Sequence, residues 1–230
     1  MWTRRELKTN AKILMKANYW KAVVVSIILG ILLGSGAGSA SSTTSGSKDE
    51  LNDVFANYST ETVAMIFLAV AGIFAFAFII HFVLKLFVWN ILEVGCQKFF
   101  LNCSGEDAKV KDIFYGFKNG YGRAIAVMFL RSLFIFLWSL LFIIPGIIKS
   151  YEYRMVPYIL ADNPGLNSRE VYAKSKEMMR GQKWNAFVLD LSFLGWQILG
   201  VITFGIVSVF YVAPYQNLTN AQLYNTLKNN

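Results

Sequence analysis

The stretch from Val63 to Leu92 holds only two ionisable side chains, His81 and Lys85, among residues that are otherwise almost all apolar. A helix needs about 20 mostly apolar residues, at roughly 1.5 Å rise each, to cross the hydrocarbon of a bilayer. This run is longer than that, so it is read as a tilted span whose inner end emerges near Lys85 and Glu93. It is not alone. "AVVVSIILGILLGSGAG", "AIAVMFLRSLFIFLWSLLFII" and "WNAFVLDLSFLGWQILGVITF" are apolar on the same scale. With 55% hydrophobic and only 16% charged residues, the chain departs from soluble proteins, where about 25% of residues are charged.

These blocks predict an all-α, polytopic membrane helical bundle that forms one domain over residues 1–230. Six transmembrane helices are expected near residues 20–38, 62–84, 124–144, 146–161, 184–203 and 206–226. The fourth, "IIKSYEYRMVPYILA", is short and carries Lys149, Glu152 and Arg154. Charge asymmetry decides it. If this segment crosses, the basic loop 162–183 lies on the same side as the amino terminus and the basic stretch 97–123, as the positive-inside tendency demands. Both termini then lie in the cytoplasm, and the Ser/Thr-rich, acidic loop 39–61 lies outside. Pro145 and Gly146 are expected to turn the third span into the fourth, and Gly205 the fifth into the sixth. The basic start, apolar centre and following "GSASS" also resemble a secretory signal; the segment is read here as a retained span.

Two polar helices complete the expectation. Residues 1–18 form a basic amphipathic helix, with Thr3 and Glu6 as its start signal. Leu7, Ala11, Leu14 and Met15 line one face, and Arg4, Arg5, Lys8, Lys12 and Lys16 supply the positive charge. Such a helix suits an anionic inner leaflet, where each cation near the surface contributes about 1 kcal/mol. Residues 167–181 form a second amphipathic helix, opened by Asn167 and Glu170 and stopped by Gly181. The net charge of +8 is accounted for by these inner segments, so no nucleic-acid partner is expected. Cys96 and Cys103 match no zinc spacing and are read as free thiols. No metal or cofactor is expected.

Several longer motifs resemble a known family. "RRELKTNAKILMKANYWKAV", "IIPGIIKSYEYRMVPYILADNP" and "SKEMMRGQKWNAFVLDLSFLGW" followed by "APY" are similar to integral membrane proteins of Gram-positive bacteria grouped as domain of unknown function family 975. The likeness covers nearly the whole chain and is weakest over 39–61. More faintly, the centre is similar to the membrane domain fused to some glycerophosphodiester phosphodiesterases, whose catalytic domain this sequence lacks. The resemblance implies a bacterial plasma-membrane address and a helical bundle. It implies no activity and no catalytic residues.

Charge inside hydrocarbon costs about 2.5–3.5 kcal/mol on insertion scales, so the embedded ions are the residues to watch. Asp190 follows Lys183 by seven residues, and Arg131 follows Arg123 by eight. At helical rise the two lie at similar depth, and an Arg131–Asp190 ion pair is expected, with either a structural role or one in a polar pathway. His81, Lys85, Gln216, Asn217 and Asn220 form a candidate inner polar cluster. Lys149, Glu152 and Arg154 form a candidate outer-half cluster, with Lys149 and Glu152 spaced to pair. Ser26, Gly30, Gly34 and Gly38 recur every four residues as a helix-packing stripe.

A single histidine without an H-E-x-x-H motif excludes zinc hydrolysis of the familiar kind, and no pair of acids is placed to form a dyad. The chain is therefore expected to be a non-catalytic membrane protein that acts through anionic inner-leaflet lipids or a membrane-protein partner. The alternative is a small transporter or lipid-handling protein with an intramembrane polar pathway. A hydrated cavity reaching Asp190 would favour the second; a packed, satisfied pair would favour the first.

Overall fold

The computed structural model describes residues 2–33, 60–105 and 108–229, and these residues are helical with no strand among them. Helix α1 (Arg4–Ala17) begins where expected, the Thr3 hydroxyl accepting the Glu6 N–H at 3.3 Å. It turns through 107° into α2 (Tyr19–Leu33). Helix α3 (Thr60–Leu84) continues through one π-helical turn, Lys85–Trp89, into α4 (Asn90–Asn102). A 3₁₀ turn (Val110–Phe114) and the short α5 (Tyr115–Lys118) lead into α6 (Tyr121–Leu141). Then come α7 (Ile143–Glu152), α8 (Val156–Asp162), α9 (Ser168–Met178), α10 (Lys183–Leu191) and α11 (Leu194–Ile202). A second π-helical turn, Ser208–Val212, opens α12 (Ala213–Lys228).

Among the described residues three helices are long and apolar enough to cross a membrane: Glu61–Asn102, Tyr121–Leu141 and Lys183–Ile202. The bent pair formed by α1 and α2 makes a fourth if it is counted as one span. The segments expected as the fourth and sixth spans take another form. Residues 146–161 are divided between α7 and α8, because Pro157 has no N–H with which to continue the ladder through Tyr153. Helix α8 is then enclosed by protein, with Val156 to Ala161 all buried. In the last segment Pro214 withholds the donor that would serve the Phe210 carbonyl. The helix widens into the π-helical turn there, and the Tyr19 hydroxyl donates to that carbonyl at 3.1 Å. The other π-helical turn is met the same way, Tyr121 donating to the Phe87 carbonyl at 3.0 Å.

The turn between α6 and α7 lies at Phe142, whose extended backbone (φ −154°, ψ 142°) breaks the helix three residues before Pro145. Proline therefore sits inside the first turn of α7, where its missing N–H costs no ladder bond. Gly146 has a packing task instead. A Cβ there would overlap the Ser139 side chain and come within 2.7 Å of Ser139 Cα, so the α6–α7 crossing needs its absence. Gly205 (φ 87°) does turn the chain, after Phe204, which also has positive φ (50°) and is 98% exposed.

Burial is uneven along the molecule. Phe99, Phe100, Met155, Ile159, Phe193, Leu218 and Tyr224 form the core of one end, made by α4, α8, the α10–α11 junction and α12. The buried Leu7, Ala11 and Met15 lay α1 on this body against α12. At the other end every large apolar residue of α3 from Met65 to Leu84 is exposed, as are those from Leu140 to Ile144 around the α6–α7 turn. Exposure on this scale is unfavourable in water at about 25 cal/mol per Å² and costs nothing in hydrocarbon.

Candidate functional site

The expected Arg131–Asp190 pair does not form, because each residue has a nearer partner. Arg154 donates from Nη1 and Nη2 to the two Asp190 carboxylate oxygens, both at 2.7 Å. Its Nη2 also reaches Asn220 Oδ1 at 2.8 Å, and the Tyr151 hydroxyl donates to Asp190 at 2.9 Å. One bidentate pair thus ties α7, the α7–α8 connection, α10 and α12 together. Arg131 instead donates to Glu93 on α4, at 3.0 Å. The straight-helix depth count failed because α7 ends at Glu152. Arg154 follows in a turn and leaves the face shared by Lys149 and Glu152.

Lys149 and Glu152 do pair, at 2.9 Å, but not apart from the basic loop in an outer half. Glu152 also accepts from Lys183 at 2.7 Å and has Lys176 at 3.9 Å. Its main-chain carbonyl receives the buried Ser175 hydroxyl at 2.8 Å. Residues expected on opposite sides of the bilayer therefore meet, and Arg154 belongs to a different cluster from its neighbours in sequence.

The expected inner polar cluster is divided as well. Asn220 serves Arg154, whereas Asn217 donates to Ser26 on α2 at 3.1 Å, a contact that makes Ser26 a hydrogen-bonding member of the proposed stripe. Gln216 is half-buried on the same helix, one residue and about 100° from Asn217. His81 packs edge-on against Trp89, ring centres 4.7 Å apart. Lys85 faces a different element, α6. Gly30 lies in α2; Gly34 and Gly38 fall outside the described residues.

On α1, Arg4, Arg5, Lys12 and Lys16 are exposed, as a surface-binding face requires. Lys8 is not part of it. Its ammonium donates to the Ser192 carbonyl at 3.2 Å and sits 4.1 Å from the centre of the Phe193 ring. Burial, then Arg4 and Lys12, push its pKa below the ordinary lysine value. Helix α9 carries its expected reciprocal start, Asn167 and Glu170 each bonding the other's backbone.

Three partnerships were not anticipated: Glu93 with Arg131, Lys176 and Lys183 with Glu152, and Asp162 with α12. The Asp162 carboxylate accepts from Lys228 at 2.6 Å and from the Tyr224 hydroxyl at 2.8 Å. Burial pushes its pKa up, but these two bonds and the Lys228 and Lys98 charges outweigh it and hold the carboxyl below the usual aspartate value. Glu93 had a readable signal: it is the first acid after the long apolar run, and Arg131 is the single cation within the next one.

Between the start of α4 and α6 lies a groove of about 440 Å³ lined by Lys85, Asn90, Glu93, Arg131 and Ser139, among others. It joins a second, apolar groove of about 550 Å³ through Lys85, Asn90, Ser132 and Phe136. Neither is lined by Arg154 or Asp190. Among the described residues no three of His, Cys, Asp and Glu come together as a metal site, and Cys96 and Cys103 are free and buried.

The described residues thus form an all-helical protein with three or four helices long and apolar enough to cross a membrane, a packed helical body at one end, and ions tied in pairs. Residues 140–230 match the model of the family described as protein of unknown function, DUF975. No curated protein and no solved structure matches the chain.

Proposed function

We propose that this chain is a multi-pass protein of the bacterial plasma membrane that performs no chemistry. It acts by contacting lipids and other membrane proteins, with both termini inside. The observation that supports it most is α3, whose large apolar residues from Met65 to Leu84 are all exposed, while Arg131 and Asp190 are each ion-paired within the protein. An uncovered helix of that length offers a surface to hydrocarbon or to another transmembrane helix. The exposed Arg4, Arg5, Lys12 and Lys16 add an attraction for anionic headgroups on the inner leaflet. The transporter alternative has less support, since Asp190 is engaged by two side chains through three hydrogen bonds and lies on neither groove.

The test is reconstitution in nanodiscs of mixed phosphatidylglycerol and phosphatidylcholine, followed by mass spectrometry of the lipids retained. Enrichment of phosphatidylglycerol over the bulk ratio, lost when Arg4, Arg5, Lys12 and Lys16 are changed to glutamine, is the expected result. Unchanged retention in that variant, or solute flux through proteoliposomes that requires Asp190, would overturn the reading.

A further inference from the structure

We propose that the joined grooves between the α3–α4 helix and α6 form a binding site for one anionic phospholipid, with Lys85 and Arg131 holding the headgroup phosphate. The inference rests on the reading that α3 lies in hydrocarbon.

The first observation is Lys85 itself. It interrupts an exposed apolar helix, it is exposed, and it makes no hydrogen bond or ion pair with the described residues. An ammonium at such a place must reach water or an anion. It also opens the π-helical turn Lys85–Trp89, a local irregularity of the kind often kept at functional sites.

The second observation is what shares the groove. Arg131 spends Nη1 on Glu93, and its buried Nε–H has no acceptor among the described residues. With Glu93 neutralising one of the two cations, the polar end keeps one positive charge in excess, the complement of a phosphodiester. Arginine and lysine together supply the forked and point-charge donors that phosphate oxygens accept.

The third is continuity. Phe78, Phe82, Phe129, Leu133 and Phe136 carry the groove from the cations along the apolar helices. A headgroup at one end and an acyl chain at the other match that polarity, whereas a free anion would use only the first part.

The experiment is native mass spectrometry of the full chain in detergent, titrated separately with phosphatidylglycerol and phosphatidylcholine. One phosphatidylglycerol should be retained, at least tenfold more tightly than phosphatidylcholine. Lys85→Gln should weaken it about tenfold, and because Lys85 has no partner among the described residues this variant should keep the parent's helical circular dichroism. The pair Glu93→Gln with Arg131→Gln, which leaves no orphaned ion, should weaken it too. Lys16→Gln on α1 should not. Equal retention of both lipids, an adduct indifferent to Lys85→Gln, or its displacement by inorganic phosphate at equal concentration would overturn the proposal. A carbonate wash separates the two failures. Membranes that release the protein overturn the membrane reading and the groove with it; membranes that keep it, while Lys85→Gln binds as the parent does, overturn the groove alone.

Discussion

Arg154 grips Asp190 through both terminal guanidinium nitrogens, each 2.7 Å from a different carboxylate oxygen. The planar fork and the flat carboxylate match, so the contact fixes angle as well as distance. It ties the C-terminal helices together, since α10 and α12 both meet the α7–α8 connection through Arg154. Removing one partner leaves the other charge without compensation. Asp190→Asn should therefore lower unfolding free energy by about 2 kcal/mol, the scale of a charged hydrogen bond. A cycle with Arg154→Gln should show coupling of roughly 1–3 kcal/mol, while the cycle pairing Asp190→Asn with Arg131→Gln should be additive. Thermal unfolding in detergent measures both, and the reverse pattern would reinstate the pairing read from sequence.

Why the sequence misassigned this pair follows from one residue. The charges at 131 and 190 stood out within apolar runs, and both turn out to be paired. Partner choice, however, depends on where a helix stops. Pro157 ends α7 at Glu152 and sends Arg154 toward Asp190, a consequence of a missing N–H that hydropathy does not register. Local signals fared better because they are closed within four residues: the Thr3 cap of α1 and the Asn167–Glu170 box of α9 both form. The Pro145–Gly146 dipeptide was read as a turn from composition. The turn is at Phe142, and the glycine is required by Ser139 across the hairpin, a long-range demand that no local pattern carries.

That close crossing has its own consequence. Alanine at 146 must push α7 away from α6, because Ser139 Cα, part of the backbone, is among the atoms it meets. Overpacking of this kind costs about 1–3 kcal/mol. Gly146→Ala should lower the unfolding midpoint, and Gly122→Ala, which meets nothing within 4 Å at the other end of α6, should leave it unchanged or raise it. Equal effects from the two would show that α6 and α7 do not cross this closely.

Asp162 makes stability depend on acid. Its folded-state pKa lies below the unfolded value, so its contribution is complete above the unfolded pKa near 3.9 and is lost as pH falls through the folded one. The partly exposed ion pair with Lys228 limits the effect to about 1 kcal/mol. The unfolding midpoint should fall as pH drops below about 4, and Asp162→Asn should flatten that part of the profile while lowering the midpoint at neutral pH. An unaltered acid limb in the variant would assign the dependence to another carboxylate.

The proposed arrangement with both termini inside makes a prediction about sidedness that the native cysteines leave easy to read, since Cys96 and Cys103 are both buried and should label slowly. Burial also pushes the Cys103 thiol up to about 12, which keeps the reactive thiolate scarce at neutral pH. A cysteine placed at the exposed Glu177 of α9 should react with an impermeant maleimide only after cells are opened. One placed at Ser45, within the acidic stretch read as external, should react in intact cells. The comparison is decisive because α9 meets α7 directly, Ser175 bonding the Glu152 carbonyl, so its side of the membrane fixes that of the whole packed end. Labelling of Glu177→Cys from outside would invert the packed body relative to the bilayer and leave its basic residues against the positive-inside tendency.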